Sequence, residues 1–357
     1  MQEEFILMKK AAALLFLLAM IFALSACGGG SGNPAQEPAS TPTADEASEA
    51  EASETEAGAP ADTLSPVEAV DAGTFFVSPE WVNSVINGEQ PQSSDYVIFS
   101  ADWGEPTQEY LAAHIPGAVH FNTDNIEEEV YWNLRTPEEM AQVAKNYGVT
   151  KDTTVIVYGN GDYSGIAATR VAFAFFWAGV DEVKILDGHF RAWESAGFET
   201  VSGNTPSTPT DMDFGTQIPA RPQFLQRMPD EVLSAQQNDN FRLVSIRSWE
   251  EFVGETSGYG YIPRAGEPAG AVWGHDDDAY VNPDGTIRDF SEITAMWAEW
   301  DITKDSINSF YCGTGWRATL PLFIAYQNGW ENVMLYDGGW YVWQMDESLP
   351  VQVGDPR

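Results

Sequence analysis

The chain has 357 residues, 43% of them hydrophobic and 20% charged, which is enough for about two domains with packed cores. Lysine and arginine total 17 against 54 aspartates and glutamates, a net charge of −37. That balance excludes a nucleic-acid partner, whose binding runs on basic patches, and leaves the holding of any anion to a few placed arginines. Two cysteines exclude a disulfide scaffold and multi-cysteine zinc sites, and four histidines without HExxH spacing point to no metal and no cofactor.

In chain order, Lys9 and Lys10 precede an apolar run from Ala11 to Leu24, followed by Ser25, Ala26 and Cys27. A basic start, a short apolar stretch and small residues at its exit describe a secretory signal over 1–26, with Met8 as an alternative start. The run is shorter than the roughly 20 residues a membrane-spanning helix needs. Leu24-Ser25-Ala26-Cys27 resembles the lipobox of bacterial lipoproteins, which implies lipidation at Cys27 and an extracytoplasmic protein held to the cell membrane only by that anchor. From 27 to 70 the chain is Gly, Ser, Pro, Ala, Thr and acids without a base. This composition is expected to give a disordered acidic tether.

The remainder reads as a duplication, with a first domain over 71–201, a Pro/Thr/Gly-rich linker over 202–222 and a second domain over 223–357. Gly117-Ala118-Val119 recurs as Gly270-Ala271-Val272, and Tyr158 in Val157-Tyr158-Gly159 recurs as Tyr311, both 153 positions on. Asp187-Gly188 and Trp193 recur 150 positions on as Asp337-Gly338 and Trp343. Short apolar runs at 96–99, 154–158 and 183–186, and again at 243–246, 309–311 and 333–335, alternate with helical patterns such as 137–146, 165–177 and 319–327. The expected fold class is α/β: two tandem domains, each a mainly parallel sheet with helices on both faces.

Cys312 is the one cysteine left if Cys27 is lipidated. It follows a strand pattern and precedes Gly313-Thr314-Gly315 and a helix expected from Arg317 to 327. A strand–loop–helix turn of this kind converges backbone N–H groups on one point at the positive end of a helix dipole. Arg317 adds a full positive charge, so the thiolate form of the cysteine is expected to be favoured and nucleophilic.

Tyr110-x-x-x-His114-Ile115-Pro116-Gly117-Ala118-x-x-Phe121 resembles the amino-terminal signature of rhodanese-type sulfurtransferases. Val333-x-x-Tyr336-Asp337-Gly338-Gly339-Trp340 resembles their carboxy-terminal signature, with Val342 where a glutamate is usual, and Cys312-Gly313-Thr314-Gly315-Trp316-Arg317 resembles their six-residue active loop. The resemblance implies two tandem rhodanese-like domains with catalysis in the second, since Gly159 stands where Cys312 would be in the first. It implies a Cys312 persulfide cradled by the N–H groups of 313 to 317, a small anionic donor (thiosulfate or 3-mercaptopyruvate) and a thiol or cyanide acceptor. Related cysteine phosphatases use C-x5-R. Here the spacing is C-x4-R, a smaller ring that suits a persulfide sulfur.

The same resemblance places Arg170 at the substrate, reaching it across the domain interface; the plain alternative is a helix-surface ion-pair partner. Arg247 sits where the family has an arginine whose companion aspartate is here Ser245, so a structural bridge is expected to be lost. Arg264 lies in a loop that could approach the site, and His114 reads as ordering its loop. Asp276-Asp277-Asp278 with Asn282 and Asp284 lacks the pattern of an EF-hand and reads as a solvated acidic loop. The reading opposed to an enzyme is a non-catalytic rhodanese-fold binding module, or a sulfur carrier for a partner protein.

Overall fold

A computed structural model describes residues 75–161 and 164–357. The signal, Cys27 and the tether lie outside the described residues. The first half supplies strands β1 (Phe76–Val77), β2 (Tyr96–Asp102), β3 (Val119–Asn122), β4 (Thr154–Gly159) and β5 (Val183–Leu186). The second supplies β6 (Leu225–Gln226), β7 (Phe241–Ser245), β8 (Glu267–Pro268), β9 (Ala271–Trp273), β10 (Ile307–Tyr311), β11 (Val333–Tyr336) and β12 (Val351–Gln352). Helices α1 (Pro79–Ile86), α2 (Gln108–Ala112), α3 (Pro137–Asn146), α4 (Ser164–Ala178) and α5 (His189–Ser195) belong to the first half. The second half carries α6 (Pro229–Ala235), α7 (Trp249–Phe252), α8 (Phe290–Ala298), α9 (Thr319–Gln327) and α10 (Gly339–Trp343).

The two large sheets have the same architecture. One runs β1-β5-β4-β2-β3 and the other β6-β11-β10-β7-β9, and every pairing in them is parallel. Their central strands are covered on both faces, so β4 is buried along its whole length and reads as an unbroken apolar run. Helix starts carry their own signals: at α3, Thr136 and Glu139 close a capping box with Pro137 in the first turn. Helix α9 spans Thr319–Gln327, as the pattern over 319–327 reads and two residues inside the start at Arg317 expected from the cysteine loop. Thr319 N–H and Leu320 N–H donate to Trp316 and Arg317 carbonyls, so Arg317 belongs to the turn that feeds the helix.

The stretch from 202 to 222 is a strap clamped to the first domain. Phe214 is buried and its carbonyl accepts from Lys151 N–H at 2.7 Å. His114, fully buried, bonds Thr205 Oγ1 at 3.0 Å, and Arg221 Nη1 donates to the Phe176 and Val180 carbonyls at the end of α4. The domains meet where α4 and α9 pack together: Phe323 lies 5.7 Å from Phe176 and 6.4 Å from Phe173, centroid to centroid. Each of these helices follows the loop at the end of its domain's central strand, so the packing brings the two loop ends to one seam.

Candidate active site

Strand β10 delivers Cys312 at its end, with the side chain buried and no disulfide. The loop's carbonyls are turned onto the start of α10: Trp340 N–H donates to the Cys312 carbonyl at 2.8 Å and Tyr341 N–H to Gly313 at 2.9 Å. The N–H groups of Thr314, Gly315 and Arg317 have no protein acceptor among the described residues. A buried loop with unspent donors is costly unless a ligand takes them, which is how backbone cups bind anions. Gly313 N–H is spent differently from the expectation that 313 to 317 all serve the sulfur: it donates to the Tyr259 hydroxyl at 3.2 Å.

The glycines are required by what lies behind them. A Cβ on Gly313 would sit 2.3 Å from the Tyr259 ring. Gly315 has φ +82°, and a Cβ there would meet Asp337 Oδ1 at 2.8 Å and Arg170 Nη1 at 3.0 Å.

Arg317 folds back beside the loop. It makes a two-pronged bond to Glu251 (Nη1 and Nη2, each 2.9 Å), reaches Asp276 Oδ1 at 2.6 Å and donates to the Tyr259 hydroxyl. Burial works against its charge, but Tyr259, Glu251 and Cys312 outweigh that and hold it protonated. Asp276 is therefore a partner of the loop arginine and not simply part of a solvated loop. Glu251 is doubly used, since it also closes the capping box of α7 with Ser248.

Arg170 is neither on a helix surface nor open to a ligand. It is fully buried under Gly315, between Glu127 of its own domain (2.9 Å) and Asp337 of the other (2.6 Å). Glu127 in turn accepts from Trp316 Nε1 at 2.6 Å. A first-domain loop thus holds the second-domain active loop from behind. Burial pushes Glu127 up to about 7, with Arg170 and Trp316 pulling the other way.

The bridge expected to be lost at Arg247 is retained with different partners. Glu267 Oε1 accepts from Arg247 Nη1 at 2.6 Å and from Ser245 Oγ at 3.1 Å, and Arg247 also pairs with Glu251. Arg247 Nη2 donates to the Ser257 carbonyl, which fixes the segment carrying Tyr259. Arg264 is one residue removed from Cys312: its carbonyl accepts from Trp340 Nε1 at 2.7 Å. Its own Nη1 is buried without a hydrogen-bond partner among the described residues.

Aromatic rings from both halves crowd the same region. Trp132, held at φ +57°, stacks on Tyr341 at 4.7 Å and meets Tyr261 edge-on at 4.7 Å. At the matching place in the first domain, Gly159 offers no side chain, and its N–H meets His189 Nδ1 at 3.4 Å. Glu127, Glu251, Tyr259 and Asp337 were not singled out by sequence as site residues. Only the Ser248-x-x-Glu251 cap spacing and the Asp337-Gly338-Gly339-Trp340 motif mark two of them.

The model of the rhodanese-like domain matches residues 78–196 and 228–346. Thiosulfate sulfurtransferase YnjE of Escherichia coli (strain K12) is 42% identical over 78% of this chain, which spans 65% of that protein. Its crystal structure superposes with a TM-score of 0.74 at 41% identity, over 78% of this chain and 68% of that one. The 3-mercaptopyruvate sulfurtransferase of Rattus norvegicus is 28% identical, covering 76% and 92% of the two chains. The anaerobic ergothioneine biosynthesis enzyme from Chlorobium limicola, solved with its natural substrate trimethyl histidine, is 37% identical at a TM-score of 0.75, over 79% and 70%. With both halves matched and the cysteine loop in the second alone, the chain belongs to the rhodanese-like family.

Proposed function

We propose that the chain is a sulfurtransferase that takes one sulfur atom from a small anionic donor onto Cys312 and passes it to a thiol or cyanide acceptor. In the loading step the Cys312 thiolate attacks the outer sulfur of the donor, a new S–S bond forms, and the donor's bond to that sulfur breaks with its electron pair. The negative charge left on the persulfide is met by amide dipoles already in place, so little reorganisation is needed. What carries the reading is the combination at one loop: a buried thiol, the one free thiol among the described residues, and cup amides without protein acceptors there; the segment of Arg264, whose Nη1 is buried without a hydrogen-bond partner among the described residues, is tied to the same loop through Trp340. In a chain of net charge −37, that guanidinium edge suits the anionic end of thiosulfate or 3-mercaptopyruvate. These are the activities named for the Escherichia coli and rat relatives.

The lipobox-like Leu24-Ser25-Ala26-Cys27 supports placing the protein outside the cytoplasm on a Cys27 lipid anchor. The acceptor has a second reading. Tyr261, bonded by the Thr314 side chain of the cysteine loop, packs with Trp132 and Tyr341 in one aromatic cluster of a kind that suits a flat or cationic molecule, and the Chlorobium limicola enzyme takes trimethyl histidine. Incubating sulfur-loaded protein with trimethyl histidine, and separately with cyanide, tells the two acceptors apart.

The test of the function is intact-mass measurement of the full chain after one equivalent of each donor. A gain of one sulfur followed by its loss to an acceptor is expected. A binding module would gain none, and a pure sulfur carrier would load without turnover to small acceptors.

A further inference from the structure

We infer that Tyr259 is a catalytic residue of the loading step: its phenol hands a proton to a carbon leaving group, so the site is built for a donor whose sulfur is bonded to carbon. The donor class is a 2-oxo thiol such as 3-mercaptopyruvate. The inference rests on the sulfurtransferase reading of Cys312 and deepens it by choosing the donor.

The hydrogen-bond accounting at Tyr259 points this way. A phenol oxygen has two acceptor sites and one proton to give. Both acceptor sites are filled, one by Gly313 N–H at 3.2 Å and one by Arg317 Nη2. The proton has no acceptor among the described residues. The two groups that fill the oxygen's lone pairs are also the two that would stabilise it as a phenolate, and one of them carries a full positive charge. Burial pushes this phenol above its ordinary range, and the charge at Cys312 adds to the shift, so the hydroxyl stays protonated at neutral pH. The ring lies against Gly313, the residue after the nucleophile, with the Arg317 guanidinium 5.2 Å from its centroid.

Neighbouring groups are less suited to the task. The Tyr261 hydroxyl is engaged by Thr314, Glu251 is held ionised by Arg317, and Arg317 itself does not release a proton.

The chemistry separates the two donor classes. With a 2-oxo thiol, the Cys312 thiolate bonds to the donor sulfur while the carbon–sulfur bond breaks, and its electron pair leaves as an enolate. Tyr259 protonates the enolate carbon, giving the 2-oxo acid, and the phenolate recovers a proton from the newly formed persulfide S–H. The enzyme is left with a Cys312 persulfide anion and neutral Tyr259. With thiosulfate, sulfite leaves carrying the electron pair and no proton is required. A proton donor with a preset anion site is therefore useful to one class and idle for the other.

The test is single-turnover persulfide formation by full-length wild type and Tyr259→Phe, using 3-mercaptopyruvate and thiosulfate separately. Phe keeps the ring against Gly313 and under Arg317 and removes only the hydroxyl. We expect the maximal rate with 3-mercaptopyruvate to fall at least about tenfold further than the rate with thiosulfate, with the loss in kcat and not in KM. Wild type alone supplies a second measurement, needing no variant: a solvent hydrogen isotope effect on loading from 3-mercaptopyruvate and none from thiosulfate. Equal losses with both donors, no loss, or loading from thiosulfate only would overturn the role of Tyr259. Absence of sulfur uptake by wild type from either donor would instead sink the sulfurtransferase reading beneath it.

Discussion

The hydroxyls of Thr169 and Thr319 lie 2.9 Å apart, and the two residues are equivalents in the duplication, 150 positions apart like Asp187 and Asp337. Phe173 and Phe323, four residues further along the same helices, repeat the relationship. The domain interface is thus self-complementary at these pairs, as in a two-fold dimer, and one of the sequence changes between the two helices breaks the symmetry at the loop. Next to Thr169 stands Arg170, while next to Thr319 stands Leu320. The arginine of the first half crosses to Asp337 beneath the cysteine loop, while Leu320, its equivalent in the second half, carries no charge to send back.

Arg170→Ala should therefore act through the loop and not through donor capture. It strands Glu127 and Asp337 in the interior, a situation that costs about 3–5 kcal/mol in comparable buried pairs. Denaturant unfolding should show a loss on that scale, and loading kinetics a fall in kcat with little change in the KM for the donor. A rise in KM alone, at full stability, would restore direct substrate binding by Arg170.

Arg317→Ala is expected to remove the cation from Asp276, to leave Glu251 with Arg247 alone and to free the Tyr259 hydroxyl. Sulfur loading should slow by at least about tenfold, or about 1.4 kcal/mol of lost charge stabilisation. Arg317→Lys should recover little of it, because a point charge cannot reproduce the fork to both Glu251 oxygens together with the bond to the phenol. Stopped-flow loading with both variants checks this.

The Glu127 carboxyl should leave a signature in the pH dependence of stability. Its folded value is about 7 against 4.5 for the free group. A raised value means the folded state holds the proton more tightly, so this contribution is complete below about 4.5 and is lost as the pH rises through about 7. Wild type should lose up to about 3 kcal/mol relative to Glu127→Gln across that window. Unfolding free energies that run parallel in the two proteins would remove Glu127 as the source.

Much of the fold was legible because each copy carries landmarks at a constant offset and continuous apolar strands of the kind that parallel sheets require. The loop was legible too, since Cys312, the two glycines and Arg317 are contiguous. What surrounds it was not. Trp316 and Glu127 are 189 positions apart, and Leu134 N–H meets Asp337 Oδ2 from 203 positions away, so only the folded interface relates them. Tyr259 lies in a loop with no periodicity to read, and Arg247 found Glu267 where the family pattern gave no partner. Arg170 looked like a surface or substrate residue because nothing local in its helix reveals two buried carboxylates from elsewhere.

The central claim is that Cys312 alone carries the sulfur, since it is the one described thiol and the first domain has Gly159 in the matching place. Cys312→Ser is nearly isosteric and leaves the backbone cup intact, so the protein should fold normally. Given donor labelled in its outer sulfur, wild type should gain the mass of one sulfur atom and the variant none, with turnover abolished. Uptake of labelled sulfur by Cys312→Ser, with turnover at the wild-type rate, would contradict the account at its centre.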